Sequence, residues 1–204
     1  MLCLCRVNAR FQEVLLPKKN AFLTGSKVYL RPLERSDLNQ RYLDWLNDPE
    51  VTQYLETGVF PTTAQDLEKF YAGVTGSSSE VMFAVVDQES DQHIGNVKLG
   101  PINWVHHRSM FGILIGDKEF WGKGVGEETT RLMVEYAFRR LNLHRVGLVV
   151  YEEHKSAVRC YQRVGFKIEG RLREQMFQDG QYKHHLWMGL LRSEYKPVKA
   201  SRRK

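Results

Sequence analysis

The chain has 204 residues, 42% hydrophobic and 26% charged, an ordinary globular mixture that excludes disordered, collagenous and coiled-coil compositions and suits one large domain or two small ones. Lys and Arg number 30 against 24 Asp and Glu, a net charge of +6, which taken alone points to an anionic partner such as nucleic acid, a membrane surface or a phosphorylated ligand. Cys3, Cys5 and Cys160 are too few for a disulfide framework and lack zinc spacing, so a reduced cytoplasmic setting and no metal site are expected.

Val28–Leu33 reads as a first strand. The spacing predicts a helix over Ser36–Asn47, with Ser36 as N-cap. Asp48-Pro49-Glu50 opens a short helix, with Asp as cap and Pro in the first turn. Another runs from Thr62 or Thr63 to about Ala72. Val81–Val86 is an apolar strand and 87–92 a polar turn. Strands follow at Ile94–Leu99 and Ser109–Ile115, around a loop holding Trp104, His106 and His107. A long helix spans about Gly124–Leu141, with Val125, Leu132, Met133, Tyr136, Ala137 and Leu141 at helical spacing. Arg145–Val150 is a β-branched strand. Lys155–Val164 is a helix stopped by Gly165, and Phe166–Ile168 starts a further strand. Arg171–Gln178 and Tyr182–Leu190 flank Asp179-Gly180, a strong hairpin signal.

This order predicts an α/β domain over residues 24–195, a mixed sheet with helices on both faces. Residues 1–23 read as a flexible N-terminal extension and 196–204 as a basic tail. The first 26 residues carry +3 and the last nine +5, which leaves −2 between them. The basic excess therefore lies outside the predicted domain. No apolar run approaches the roughly 20 residues of a membrane span.

Ile113–Glu127 carries the most information. A strand enters a loop with alternating Gly122, Gly124 and Gly126, and the loop opens the long helix. Such glycines let backbone N–H groups approach an anion, and the helix N-terminus adds unpaired donors. A triphosphate loop needs Gly-Lys-Ser/Thr, but Gly124 follows Lys123. A dinucleotide loop needs G-x-G-x-x-G directly after its strand, and here the pattern is G-x-G-x-G after several intervening residues.

Trp121–Gly126, then His154, Tyr161 and Gly165-Phe166 in the order x-six-Tyr-three-Gly-Phe, resemble the GNAT superfamily of N-acetyltransferases. The likeness includes the branch of the ribosomal-protein N-terminal acetyltransferases. Weaker likenesses lie in Trp45–Val51, Gly95, Leu143–Val146 and Glu169–Arg171. Two departures stand out: Trp121 replaces the Gln or Arg of the loop motif, and His154 replaces the family's Asn.

The resemblance implies a GNAT fold, with a mostly antiparallel sheet, and acetyl-CoA as cosubstrate. It implies that the strand holding Leu114 and Ile115 binds the pantetheine arm and splays from the strand Arg145–Val150. Trp121, Gly122, Lys123, Gly124, Val125, Gly126 and Glu127 would hold the pyrophosphate. His154, Ala157 and Tyr161 would complete the cofactor site, with Tyr161 the acid that protonates the leaving thiolate. Imidazole at His154 can donate one hydrogen bond, as the Asn would, or act as a base. Glu119, Glu153 and His107 are the other base candidates. Cys160 reads as a small buried residue. Trp45, Tyr42, Tyr54 and Phe60 are candidates for the acceptor wall, with Arg171, Arg173 and Tyr182 opposite.

The implied reaction is direct transfer of acetyl from acetyl-CoA to a primary amine. The acceptor is a protein N-terminus or a small amine; an amino sugar linked to a nucleotide, a polyamine or an aminoglycoside are the alternatives. A non-catalytic acyl-CoA-binding module is the reading of another class, and Tyr161 argues against it. No nucleic-acid or membrane partner is expected, and the chain would be a monomer or homodimer.

Overall fold

A computed structural model describes residues 20–197; residues 1–19 and 198–204, most of the predicted extension and tail, lie outside the described residues. The strands are β1 (Leu23–Thr24), β2 (Val28–Pro32), β3 (Val81–Asp87), β4 (His93–Asn103), β5 (Arg108–Ile115), β6 (Arg145–Tyr151), β7 (Lys167–Gln178) and β8 (Gln181–Leu191). They form one sheet in the order β1-β2-β3-β4-β5-β6-β8-β7. Only the β5–β6 pair is parallel among these neighbours. The helices are α1 (Gln40–Asn47), α2 (Pro49–Thr52), α3 (Ala64–Thr75), α4 (Val125–Arg139) and α5 (Lys155–Val164).

Strand alternation sorts the core onto two faces. Val28, Leu30, Phe83 and Val85 pack with Met133, Val134 and Ala137 of α4. Tyr29, Ala84 and Val86 point the other way, against Tyr71 of α3. Tyr42, Trp45, Leu46, Val51 and Leu67 form a cluster over Leu114 of β5. The mixed sheet with helices on both faces is thus as the sequence predicts. Phe22 and Leu23 join it: Phe22 donates its N–H to Leu30 and stacks on Phe83 at 5.3 Å.

Local chemistry sets the boundaries. Asp48 caps α2 through the Glu50 amide, with Pro49 in the first turn. Thr63 and Asp66 form a reciprocal capping box on α3. The predicted helix over Ser36–Asn47 is shorter than expected. Asp37 turns inward to a bidentate pair with Arg31, both contacts 2.7 Å, so 35–37 is a single 3₁₀ turn. The helix starts at Gln40, capped by Asn39. The two strands expected at 166–168 and 171–178 are one strand, β7. Its register shifts between Ile168 and Gly170 and between Leu172 and Met176, and those bulges read in the sequence as a break. Asp179 and Gly180 have φ of 50° and 77°, as a type I′ hairpin turn requires.

Candidate active site

The parallel pair is short. Its register runs Arg108↔Arg145, Ser109↔Val146, Met110↔Gly147 and stops. Beyond it β5 stays bonded to β4 and β6 to β8, so the strands fork. Among the described residues the facing edges of Phe111–Leu114 and Leu148–Val150 have no strand partner across the fork. Backbone groups left bare like this need a ligand or water. Phe111, Tyr161 and Phe166 fill the apex, with ring centroids 6.0–6.5 Å apart. The fork opens into a cleft of about 450 Å³, within the size range of small-molecule sites.

The glycine loop forms one end of the cleft. Gly122 and Gly124 have φ of 73° and 81°, a left-handed turn that side chains resist. Gly124 is the N-cap of α4 and has no side chain to satisfy its first turn. The leading N–H groups, at Val125, Gly126 and Glu127, therefore face the cleft without intrahelical acceptors. The Trp121 indole donates to the Ile115 carbonyl at 2.7 Å, pinning the loop to the end of β5. Lys27 donates to the Lys123 carbonyl at 2.8 Å, which brings an ammonium to the loop from the β1–β2 turn. Glu128 holds that turn by accepting from the Ser26, Lys27 and Val28 amides.

Helix α5 supplies the other wall, from His154 at its N-cap through Ala157 to Cys160 and Tyr161. Burial pushes the Tyr161 phenol well above its usual range. Its hydroxyl has no hydrogen-bond partner among the described residues. Burial also pushes the Cys160 thiol up to about 11, in keeping with an inert packing role. The Arg163 guanidinium, 2.6 Å from Glu127, holds that carboxyl below the usual range, although burial opposes it and Arg131 assists.

Of the residues expected at the cofactor site, Leu114, Ile115, Trp121, Gly122, Gly124, Val125, Gly126, Glu127, His154, Ala157 and Tyr161 line the cleft. Lys123 meets the loop by its backbone, and its ammonium lies 5.4 Å above the Phe120 ring. The candidate bases Glu119, Glu153 and His107 do not line it. Glu153 pairs with Lys183. The His107 carbonyl accepts from His144 and Arg145 at the closed end of the fork.

Of the candidates for the acceptor wall, Tyr54 lines the cleft. Its ring stacks on His154 at 4.1 Å and 17°. Glu50 also lines it, with its carboxylate 2.6 Å from Lys118. The other acceptor candidates lie elsewhere. Trp45 and Tyr42 are core, Phe60 is 80% exposed, and Arg171 pairs with Glu152. Arg173 borders a separate groove with His184, and Tyr182 packs on Phe177. Sequence reasoning missed Lys27 and Glu50. Lys27 lies 96 positions from its partner, and no local pattern marks it.

The family described as "Acetyltransferase (GNAT) domain" matches residues 27–167. The chain belongs to this family. It is 35% identical over 174 residues to the spermidine N(1)-acetyltransferase of Escherichia coli strain K12, covering 84% of this chain and 90% of that one. The Vibrio cholerae counterpart is 34% identical over 172 residues, covering 84% and 96%. The structure of spermidine N-acetyltransferase from Vibrio cholerae in complex with CoA and spermine matches with TM-score 0.77 and 33% identity, covering 84% of this chain and 99% of that one. These relatives do not single out the ribosomal-protein branch. This GNAT chain is an acetyl-CoA-dependent N-acetyltransferase, and its cleft fits that cosubstrate. The bare edge of β5, the uncapped start of α4 and the open space at Gly122 and Gly126, where a Cβ would meet nothing within 4 Å, suit a pantetheine arm and its pyrophosphate.

Proposed function

We propose that this GNAT enzyme acetylates a primary amine of a linear polyamine by direct attack within a ternary complex. The observation that carries this reading is the 35% identity to a spermidine acetyltransferase across 84% of the chain, a span that includes the acceptor wall. The acceptor side supports it chemically. Tyr54 lines the cleft, and so does Glu50, whose carboxylate is shared with Lys118. Carboxylates and aromatic faces suit ammonium groups.

In this reading the amides of Gly122–Glu127 hold the pyrophosphate and Lys27 adds positive charge. The edge of β5 orients the pantetheine arm. Tyr161, protonated throughout the physiological range, gives its proton to the sulfur as the thiolate leaves.

The test is thiol release from acetyl-CoA on a panel of spermidine, spermine, putrescine, N-terminal peptides, a nucleotide-linked amino sugar and an aminoglycoside. Spermidine or spermine should exceed the other classes in kcat/KM by about a hundredfold, the scale that pocket contacts to a second charge provide. Faster turnover of a peptide or amino sugar would overturn the polyamine assignment.

A further inference from the structure

An ammonium acceptor must lose a proton before it can attack. The titratable groups lining the cleft are Glu50, Tyr54, Glu127, His154, Cys160, Tyr161 and Arg163. Glu50 is engaged by Lys118, and Glu127 by Arg131 and Arg163. Cys160 and Tyr161 hold their protons because burial raises both. Tyr54 is a phenol, and Arg163 a permanent cation.

His154 remains. Its side chain has no hydrogen-bond partner among the described residues. Its ring joins the two walls, because it caps the cofactor-side helix α5 while it stacks on Tyr54 from the acceptor side. Tyr161 follows seven residues later, two turns and about 10.5 Å along one face of α5. Both residues therefore stand on one face of α5 and both line the cleft.

We propose that His154 is a catalytic base, the group that takes the acceptor's proton. One N–H bond of the ammonium breaks and an N–H bond forms on the imidazole. The freed lone pair attacks the thioester carbonyl. The C–S bond then breaks with its electron pair on sulfur, and the Tyr161 proton moves to that sulfur. The second proton on the adduct nitrogen restores the phenol, and the imidazolium discharges to solvent.

Burial lowers the His154 pKa below its ordinary 6.5, with no charged group contributing. The groups around it bear this out. Tyr54 faces it from the segment after α2, Tyr151 lies behind Tyr54 on β6, and the Glu56 charge acts on Tyr151 and His185 rather than on His154. Its neighbour Glu153 is drawn away to Lys183. The imidazole is therefore neutral at pH 7 and can accept a proton.

The inference rests on the acetyl-transfer reading and not on the polyamine assignment. Its test uses whichever amine of the panel is turned over, so the two fail separately. His154→Asn keeps one hydrogen-bond donor and removes the base. At pH 7 its kcat should fall about tenfold or more, and the limb of the kcat/KM profile below pH 6.5 should vanish. CoA affinity should stay within about twofold by calorimetry. His154→Ala should regain turnover with added imidazole. A rate within about twofold of wild type, a retained limb, or a loss confined to CoA affinity would overturn the proposal.

Discussion

The Trp45 indole packs on the backbone of Gly116 so closely that a Cβ at Gly116 would overlap the ring. This contact seats α1 on the end of β5. Arg41 covers the outer face of the indole at 5.4 Å and pairs with Asp117. The α1 side of the cleft and the approach to the glycine loop thus meet at one contact.

Gly116→Ala forces the indole out of a packed cluster. It should destabilise the fold by about 1–3 kcal/mol, the usual cost of overpacking, read as a lower midpoint in urea. An unchanged midpoint would show that Trp45 relaxes without cost.

Much of this arrangement is legible in the sequence. The helix Lys155–Val164 ends where Gly165 adopts φ 117°, and the alternating glycines mark the start of α4. Such signals are local, because a cap or a turn is satisfied within a few residues. Other features are not local. Asn39 takes the cap expected of Ser36 because Asp37, next to Ser36, is drawn to Arg31. Lys27 reaches the loop only because Glu128 gathers the β1–β2 turn. The stack of Tyr54 on His154 depends on how the segment after α2 crosses the sheet, which no periodicity encodes.

Lys27 brings its charge to the glycine loop while its own amide helps to anchor the turn. Lys27→Met keeps the aliphatic stem and removes only the ammonium. The Kd for CoA should rise roughly fivefold, a loss of about 1 kcal/mol, and salt should weaken CoA binding less than in the parent. Thermal midpoints should nearly coincide. Calorimetry at two ionic strengths checks this, and an unchanged Kd would place Lys27 outside the anion site.

Asp37 is 4% exposed and sits beneath β2. Burial favours its neutral acid, but the Arg31 guanidinium and the Glu34 amide outweigh that and hold the carboxyl below its ordinary value of 3.8. A depressed folded pKa contributes stability that is complete above the unfolded value. That stability is lost as pH falls through the folded one. Asp37→Asn leaves the half-buried Arg31 without its carboxylate partner, a loss of about 1.5–3 kcal/mol at pH 7. The wild-type advantage should shrink as pH falls below the ordinary carboxyl value of about 4. Urea midpoints of both proteins at several pH values test the sign; a gap that widens on acidification would contradict it.

Tyr161 stands at the apex of the fork, and its phenol stays protonated because burial raises its pKa. Tyr161→Phe keeps the ring contacts with Phe111 and Phe166 and deletes only the hydroxyl. If that hydroxyl protonates the leaving sulfur, kcat should fall about tenfold or more. Binding of acetyl-CoA should change little, because the ring still packs in the apex. The loss should be smaller with a thioester whose thiol is more acidic, since a better leaving group needs less help from an acid. Steady-state rates with the two thioesters, alongside direct binding of CoA, separate this role from packing. An equal loss with both thioesters would remove Tyr161 from the acid role.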